Sequence, residues 1–306
     1  MAIKTIYVVS DNTAALKELC AGVKALAETT TAVMFGDEAA AQAAAACGAN
    51  ALVYCPVGDV CPEDYAAAIA DEVKKADSAL VVVYNTIRGR CLAGKLGALL
   101  DTAVLTGITE LKADGDKAVC SRVVYGGTAQ RTETFSKPYG VVTVNSGVFE
   151  AAADETVAEV RAIAGAAVPS YKVLAREEKK EGGANLAVAK RIVDVGRGLA
   201  AEADLEMVNK LAAVLGAEVG CSRPVAENNK WLPKASYLGI TGTQVKPEMI
   251  FVMGVSGQVQ HIGGINKSKV IVAVNKDKGA PIFKNCDFGL VGDMYKIVPA
   301  LIEKLS

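Results

Sequence analysis

Runs of β-branched residues alternate with apolar stripes at helical spacing along most of the chain, and this alternation constrains the fold more than any other feature. In the first half, strands are predicted at 3–9, 51–54 and 80–84. In the second half, they are predicted at 191–195, 217–221, 249–255 and 269–275, with a short strand ending at Val291. Such alternation indicates parallel sheets with helices on both faces. The expected fold is α/β with two domains, each a mostly parallel, doubly wound sheet.

Two segments interrupt this pattern. Strands predicted at 119–125 and 139–145 are joined through glycine and polar residues without a clear helix, which suggests an antiparallel extension at one sheet edge. The segment 176–183 reads REEKKEGG, and six successive charges followed by two glycines favour a solvated linker over a core element. We therefore predict a nucleotide-binding-like α/β domain over 1–183 and a second domain over 184–306.

Composition excludes several function classes. The 306 residues include 33 basic and 34 acidic side chains, so no basic excess exists to neutralise the phosphates of a nucleic acid. With one histidine and eight cysteines that form no CxxC pair, the sequence argues against a zinc site and favours buried free thiols in a reducing cytoplasm. No apolar run reaches 18 residues, and the opening MAIKTIYVVSDN is typical of a strand and a turn, so no membrane insertion or signal peptide is expected.

Polar residues follow the predicted strands of the second half with unusual regularity. In parallel α/β sheets, ligands bind outside the carboxyl ends of the strands. The strand-end segments are Gly196-Arg197-Gly198, Ser222-Arg223, Thr241-Gly242, Ser256-Gly257 with Gln260-His261, Asn275-Lys276-Asp277 and Gly292-Asp293. We interpret them as one ligand crevice, in which glycines would let backbone N–H groups approach a pyrophosphate. The G-x-G-x-x-G fingerprint of NAD sites is absent, because Gly196-Arg197-Gly198 lacks the third glycine.

Each of these residues also has an ordinary structural interpretation. His261 could be a satisfied core histidine, and Arg223 could be a surface or ion-paired arginine. Ser222 and Thr241 could be turn residues, and Trp231 a packing residue. In the first half, Asn85-Thr86-Ile87-Arg88-Gly89-Arg90 could form a nucleotide or docking surface, or merely a capped turn. No Ser/His/Asp arrangement and no hydrolytic carboxylate pair stands out.

Five ordered motifs in the second half make the sequence recognisable. They are GRGL at 196–199, SRPVAE at 222–227, VSGQVQHIGGI at 255–265, VNKDKGAPIF at 274–283 and FGLVGDMYKIVPAL at 288–301. From Arg191 onward the chain resembles the alpha subunit of electron transfer flavoproteins. The first half matches more loosely, through NTIRGR at 85–90, YGG at 125–127 and YGVVTVNSGVFEAAA at 139–153. SRPVAE resembles the bacterial FixB-like branch, which is associated with carnitine or fatty-acid pathways.

The resemblance implies that FAD is held by a Rossmann-like second domain, in a heterodimer with a beta subunit, and that the first domain has no cofactor. By position, Arg223 lies against the isoalloxazine ring, Thr241 bonds N5, and His261 sits at O2 with Gln260 beside it. Ser256 and Gly257 bind the pyrophosphate region, and Asn275 and Asp293 bind the adenosine side. The remaining cofactor-binding residues implied are Arg197, Ser222, Gly242 and Met294. Many relatives have a glutamine where this chain has Ile240, which removes one polar contact.

The leading functional hypothesis is therefore an electron carrier. It implies an anionic semiquinone stabilised by Arg223, Thr241 and His261, no catalytic residue, and a partner acyl-CoA dehydrogenase, reductase or quinone oxidoreductase. The rival hypothesis is an independent FAD- or NAD-dependent oxidoreductase with its own small substrate. A third is a nucleotide-binding scaffold without a redox role.

Overall fold

The computed structural model describes residues 3–145, 147–150, 156–169, 171, 174–175 and 186–305. The chain divides into two compact units, Met1–Glu177 and Glu178–Ser306. The predicted linker at 176–183 lies outside the described residues, so the domain boundary at 183/184 stays a prediction. No helix among the described residues is long and apolar enough to cross a membrane.

The first unit is built on a seven-stranded sheet in which every strand pair is parallel. Its strand order is β10-β3-β2-β1-β4-β9-β5. The strands are β1 Ile3–Ser10, β2 Ala27–Phe35, β3 Ala51–Cys55, β4 Ala79–Tyr84, β5 Val104–Ile108, β6 Glu110–Asp114, β7 Lys117–Val124, β8 Ala129–Thr134, β9 Tyr139–Val144 and β10 Glu159–Ala162. The helices are α1 Leu16–Lys24, α2 Glu38–Ala44, α3 Ala66–Val73 and α4 Ile87–Leu99.

The antiparallel extension was predicted only partly correctly. The predicted strand at 119–125 corresponds to β7, which is the middle strand of a separate antiparallel sheet ordered β6-β7-β8. The predicted strand at 139–145 corresponds to β9, which is parallel and lies between β4 and β5 in the large sheet. The reason is that β6–β8 form an insertion between β5 and β9 and, among the described strands, pair only with one another. The strands at 119–125 and 139–145 follow one another closely in sequence but therefore belong to different sheets.

The second unit is a smaller α/β sheet ordered β12-β11-β13-β14-β15, again parallel throughout. Its strands are β11 Arg191–Val195, β12 Glu218–Cys221, β13 Met249–Met253, β14 Ile271–Asn275 and β15 Phe288–Val291. Its helices are α5 Leu205–Leu215, α6 Val259–Ile265 and α7 Met294–Leu305. The α/β class with mostly parallel sheets is thus confirmed. The strand order reverses at β11, because β12 lies on one side of it and β13 on the other, so the carboxyl ends of β11 and β13 flank the expected binding position.

Alternating residues of β11 enter two different apolar clusters. Val193 and Val195 pack with residues of α5 and α7, including Val208 and Val298. Ile192 packs on the opposite side, with Leu238 and the α6 residue Ile265. Because side chains alternate along a strand, Asp194 shares the side of Ile192. A carboxylate therefore stands inside the layer between the sheet and α6.

All eight cysteines are free. Six of them are buried, namely Cys20, Cys47, Cys55, Cys61, Cys120 and Cys221. This agrees with the interpretation of the cysteines as small buried hydrophobic residues.

Candidate functional site

A crevice of about 850 Å³ opens at the carboxyl ends of β11, β12, β13 and β14. This volume lies within the usual range of ligand pockets, ~300–1,000 Å³. The structure brings eight of the twelve predicted cofactor-binding residues into its wall: Arg197, Ser222, Arg223, Thr241, Ser256, Gln260, His261 and Asn275. Segments nearly 80 positions apart in sequence thus meet at one place.

The other four predicted residues lie elsewhere. Asp293 and Met294 line a neighbouring hollow of about 380 Å³, which shares Gly198, Gly254 and Asn275 with the crevice. The two hollows are therefore adjacent. Gly242 and Gly257 line neither of them.

The latter two glycines have a backbone role instead. A Cβ atom on Gly242 would lie 2.5 Å from the carbonyl oxygen of Tyr237, and one on Gly257 would lie 2.3 Å from the nitrogen of Ile282. Gly257 also has a φ of 85°, a conformation that favours glycine. They shape the crevice walls without facing the space between them.

Glycines after β11 and β13 let two loops touch. Added Cβ atoms on Gly196 and Gly198 would lie 2.3 Å from the oxygen and 2.6 Å from the Cα of Gly254, respectively. The Gly198 N–H donates to the Gly254 carbonyl at 2.9 Å, and the Gly196 N–H donates to Met253 at 2.9 Å. Both of these amides are therefore used in holding the loops together, and the expectation that glycine amides of the crevice approach a pyrophosphate stays a prediction.

The most buried polar contact of the site joins two residues of different elements. His261 Nε2 lies 2.6 Å from Oδ2 of Asp194, whose side chain is fully buried, while that of His261 is 8% exposed. Asp194 was missed at the sequence level. The available signal was an acidic residue within the otherwise apolar strand RIVDV, which is costly to bury without a partner.

The environment of His261 favours its charged form. Burial by itself lowers the pKa of the ring, but the charge of Asp194 and the hydrogen bond to it outweigh burial and raise the pKa above its ordinary value. His261 Nδ1 makes no hydrogen bond of ordinary geometry among the described residues, although the Leu238 carbonyl also raises the pKa of the ring. Nδ1 is thus the buried ring nitrogen that does not contact Asp194.

Arg223 carries its charge differently. Its side chain is 62% exposed, and Nε donates to Oε2 of Glu227 at 2.6 Å. That hydrogen bond and the Glu227 charge raise the pKa of Arg223. A short π-helix, Pro224–Asn229, starts directly after it and places Glu227 beside it. The ion-pair interpretation therefore describes Arg223 in this chain, at the crevice wall.

The remaining wall residues differ in whether their side chains already form hydrogen bonds within the protein. Thr241 shares a hydrogen bond of 2.9 Å with the Tyr237 hydroxyl. Asn275 donates to the Val255 carbonyl at 2.8 Å and accepts from the Asp277 amide at 3.0 Å. Ser222 is buried, and its Oγ has no partner among the described residues. Arg197, Ser256 and Gln260 are exposed.

These features fit a dinucleotide cofactor. Buried polar atoms normally have hydrogen-bond partners, so Ser222 Oγ and His261 Nδ1 are two positions that a polar ligand would satisfy. The two adjacent hollows lie along the sheet edge from these atoms towards Asp293. The wall also offers positive charge beside polar groups, which suits an anionic, ring-bearing ligand.

Comparison with known proteins assigns the family. Residues 8–175 match the family described as electron transfer flavoprotein domain, and residues 185–266 match the electron transfer flavoprotein FAD-binding domain. The chain belongs to the electron transfer flavoprotein family. It is of the alpha, FixB-like type, and the second unit is its FAD-binding domain.

Relatives match along the full length. The chain is 38% identical over 309 residues to YdiR of Escherichia coli (strain K12), which is named as a candidate electron transfer flavoprotein subunit, covering 99% of each protein. It is 37% identical over 311 residues to protein FixB of Salmonella typhimurium (strain LT2), covering 99% of this chain and 98% of the relative. It is 38% identical over 309 residues to protein FixB of Escherichia coli O157:H7, covering 98% of each.

The FAD-binding match ends at residue 266, directly after α6 and soon after His261. Seven of the eight predicted residues in the crevice wall fall inside it, whereas Asn275, Asp293 and Met294 come later in the chain. Trp231, outside the wall, packs partly buried against the α5–α7 cluster, in agreement with its packing interpretation.

In the first unit, residues 85–90 form a capped turn at the start of α4, which is one of the two interpretations given above. Thr86 Oγ1 accepts from the Gly89 amide at 2.8 Å, which caps α4, and donates to Asp11 at 2.7 Å. Arg88 pairs with Glu63 at 2.9 Å. Both contacts lie within the first unit.

Proposed function

We propose that this chain is the FAD-carrying alpha subunit of an electron carrier. Together with a beta subunit, it would take electrons from a flavoprotein dehydrogenase or reductase and pass them to an acceptor. The observation that supports this most is the crevice itself, where Ser222 Oγ and His261 Nδ1 are buried and form no hydrogen bond with any residue that the structure describes.

FAD supplies the redox chemistry when bound, since its ring takes up and releases electrons. The protein residues would orient the ring and supply charge. Arg223 and His261 place positive charge at the wall, and fixed charges in a site of restricted water access act more strongly than in bulk solvent. Thr241 and Ser222 offer hydroxyl groups to the ring side of the crevice.

The far end of the cofactor would extend along the shared hollows. Asn275 lies between them, and Asp293 and Met294 lie in the second. Arg197, Ser256 and Gln260 would serve the middle of the ligand from exposed positions. This assigns the adenosine side to the β14 and β15 ends of the sheet. The first unit would carry no cofactor.

The electron partners follow from the family. We propose an acyl-CoA dehydrogenase, a reductase or a quinone oxidoreductase, in fatty-acid or carnitine metabolism. The eight free thiols suit a reducing compartment, so we place the carrier in the cytoplasm. No substrate turnover by this chain alone is expected.

Co-production with the beta subunit and stepwise reduction, followed by absorption spectroscopy, tests this proposal. We expect stoichiometric FAD that is reduced by a partner dehydrogenase and reoxidised by an acceptor. Turnover of a small substrate without any partner protein would instead favour the independent oxidoreductase. A colourless complex that FAD cannot reconstitute would favour the nucleotide-binding scaffold.

A further inference from the structure

We propose that Asp194 is a positioning residue that fixes the orientation and the charge of His261 in the flavin crevice. The proposal rests on the proposed function, because it assigns a role to a residue behind the cofactor wall. Asp194 does not line the crevice, so it would act only through the imidazole.

The geometry gives one partner to each side of the ring. Nε2 faces the Asp194 carboxylate at 2.6 Å, within the layer between the sheet and α6. An ionised carboxylate only accepts hydrogen bonds, so the proton of this contact belongs to Nε2. Nδ1 makes no hydrogen bond of ordinary geometry among the described residues, and the Leu238 carbonyl is the one backbone group that also raises the pKa of the ring. When the ring is cationic, Nδ1 also becomes a donor, and in the proposed site the cofactor would accept from it.

Other charged or titratable groups border the same crevice or Asp194, and none of them shifts the pKa of His261. Tyr237, Arg197, Arg223 and Asp277 line the crevice wall, and Cys221 at the end of β12 interacts with Asp194. Burial raises the pKa of Cys221 to about 12, which keeps that thiol neutral. Among the described residues, Asp194 is the only carboxylate paired with His261.

A purely structural role would explain this aspartate less well. A buried ion pair usually stabilises a fold no more than apolar residues of similar size would. An Asp at this strand position is nevertheless paired to a buried imidazole that also borders the ligand space. The raised pKa of His261 is consistent with a charge held for the ligand.

The single histidine makes a direct test possible. The full chain, with labelled histidine, is combined with an unlabelled beta subunit and FAD, and the ¹⁵N shifts of the ring are followed against pH. The variants are Asp194→Asn and Asp194→Ser. The control is Glu218→Gln, which removes the same charge from an exposed position on neighbouring β12.

In the wild type, we expect the ring to stay cationic above the ordinary histidine pKa of about 6.5. In both Asp194 variants, the ring should become neutral at lower pH than in the wild type, and in Glu218→Gln it should titrate as in the wild type. The difference in flavin potential between Asp194→Asn and wild type should change over the same pH range. A role confined to packing would leave that difference independent of pH.

Identical His261 titrations in wild type and Asp194 variants would overturn the proposal. If neither variant folds, the wild-type titration decides, because a ring that is already neutral below about pH 6.5 contradicts it. Failure of the proposed function looks different. In that case FAD would not bind, or the flavin potential would not respond to His261→Gln, whatever the titration shows.

Discussion

At the scale of single residues, two of the basic side chains that line the crevice lie in contrasting environments. His261 is buried and fixed by one short contact, whereas Arg223 is largely exposed and shares its charge with Glu227. Charges at exposed positions are screened by water and salt. The charge of buried His261 should therefore affect a bound flavin with less screening by water and salt than the charge of exposed Arg223.

Arg223→Ala should lower the flavin midpoint potential, because a positive charge that favours added electrons is lost. We expect a shift of no more than about 60 mV, a tenfold change in equilibrium constant for one electron, because Arg223 is exposed and ion-paired. Glu227→Gln is the matched control and should move the potential upward by freeing the arginine. Potentiometric titration of FAD-loaded complexes measures both, and shifts of the same sign would contradict this account.

The Asp194–His261 pair should also make stability depend on pH. The pKa of His261 in the folded chain is raised, so its stabilising effect is complete below the unfolded value of about 6.5 and is lost as pH rises through the folded pKa. Wild type should lose free energy of unfolding as the pH rises above about 6.5. The double variant Asp194→Asn/His261→Gln, which titrates at neither position, should lose less in denaturant titrations. An equal loss would show that other groups cause the dependence.

Sequence reasoning located most wall residues of the crevice, because polar groups after parallel strands converge at one sheet edge. It could not find Asp194, since nothing in the sequence shows which residue a strand-borne carboxylate meets. It also could not decide that Arg223 is ion-paired. That depends on the π-helix, which places Glu227 against the guanidinium. The local sequence pattern predicts which element carries a residue and at which end, whereas tertiary packing determines which other side chain it contacts.

At the scale of elements, the crevice depends on the contact between the loops that follow β11 and β13. Their glycines are needed for close approach of backbone to backbone. Gly198 is an informative position because its neighbour is the Gly254 main chain, which cannot move aside as a flexible side chain could.

Gly198→Ala should destabilise the second unit by about 1–3 kcal/mol, the usual cost of overpacking, and weaken FAD binding. The matched control is Gly94→Ala in α4, where an added Cβ meets nothing within 4 Å. That change should stabilise the chain by about 0.5–1 kcal/mol through helix propensity. Denaturant titration and FAD binding measure both. Equal behaviour of the two variants would show that the loop contact is not tight in solution.

Element prediction was most accurate in the second unit, where β11 was predicted with its observed bounds. It failed for β2, whose sequence AETTTAVMF starts with polar residues that dilute the apolar signal. It failed differently for β9, which was predicted as a strand but assigned the wrong partners. Strand order depends on contacts distant in sequence, and the β6–β8 insertion separates β9 from its neighbour β5.

At the scale of the whole molecule, the division into two units predicts a site of preferred proteolysis. The charged, glycine-ended segment 176–183 should be cut first by trypsin, at Lys179 or Lys180, since such a composition does not form a core. Limited digestion followed by mass spectrometry should release fragments that end there. First cleavage within α5 or α7 would contradict the predicted linker.

The central claim is that the second-unit crevice holds FAD, and the most direct measurement is the flavin content of a crevice-blocked variant. Ser222→Phe fills the space at a buried, unpartnered hydroxyl, while Ala213→Phe adds the same ring to an exposed position on α5. Each full chain is co-produced with the beta subunit, its fold is checked by circular dichroism, and bound FAD is counted by absorbance. We predict equimolar FAD in wild type and Ala213→Phe, and loss of FAD from a folded Ser222→Phe complex. Equimolar FAD in folded Ser222→Phe would place the cofactor elsewhere and contradict the account.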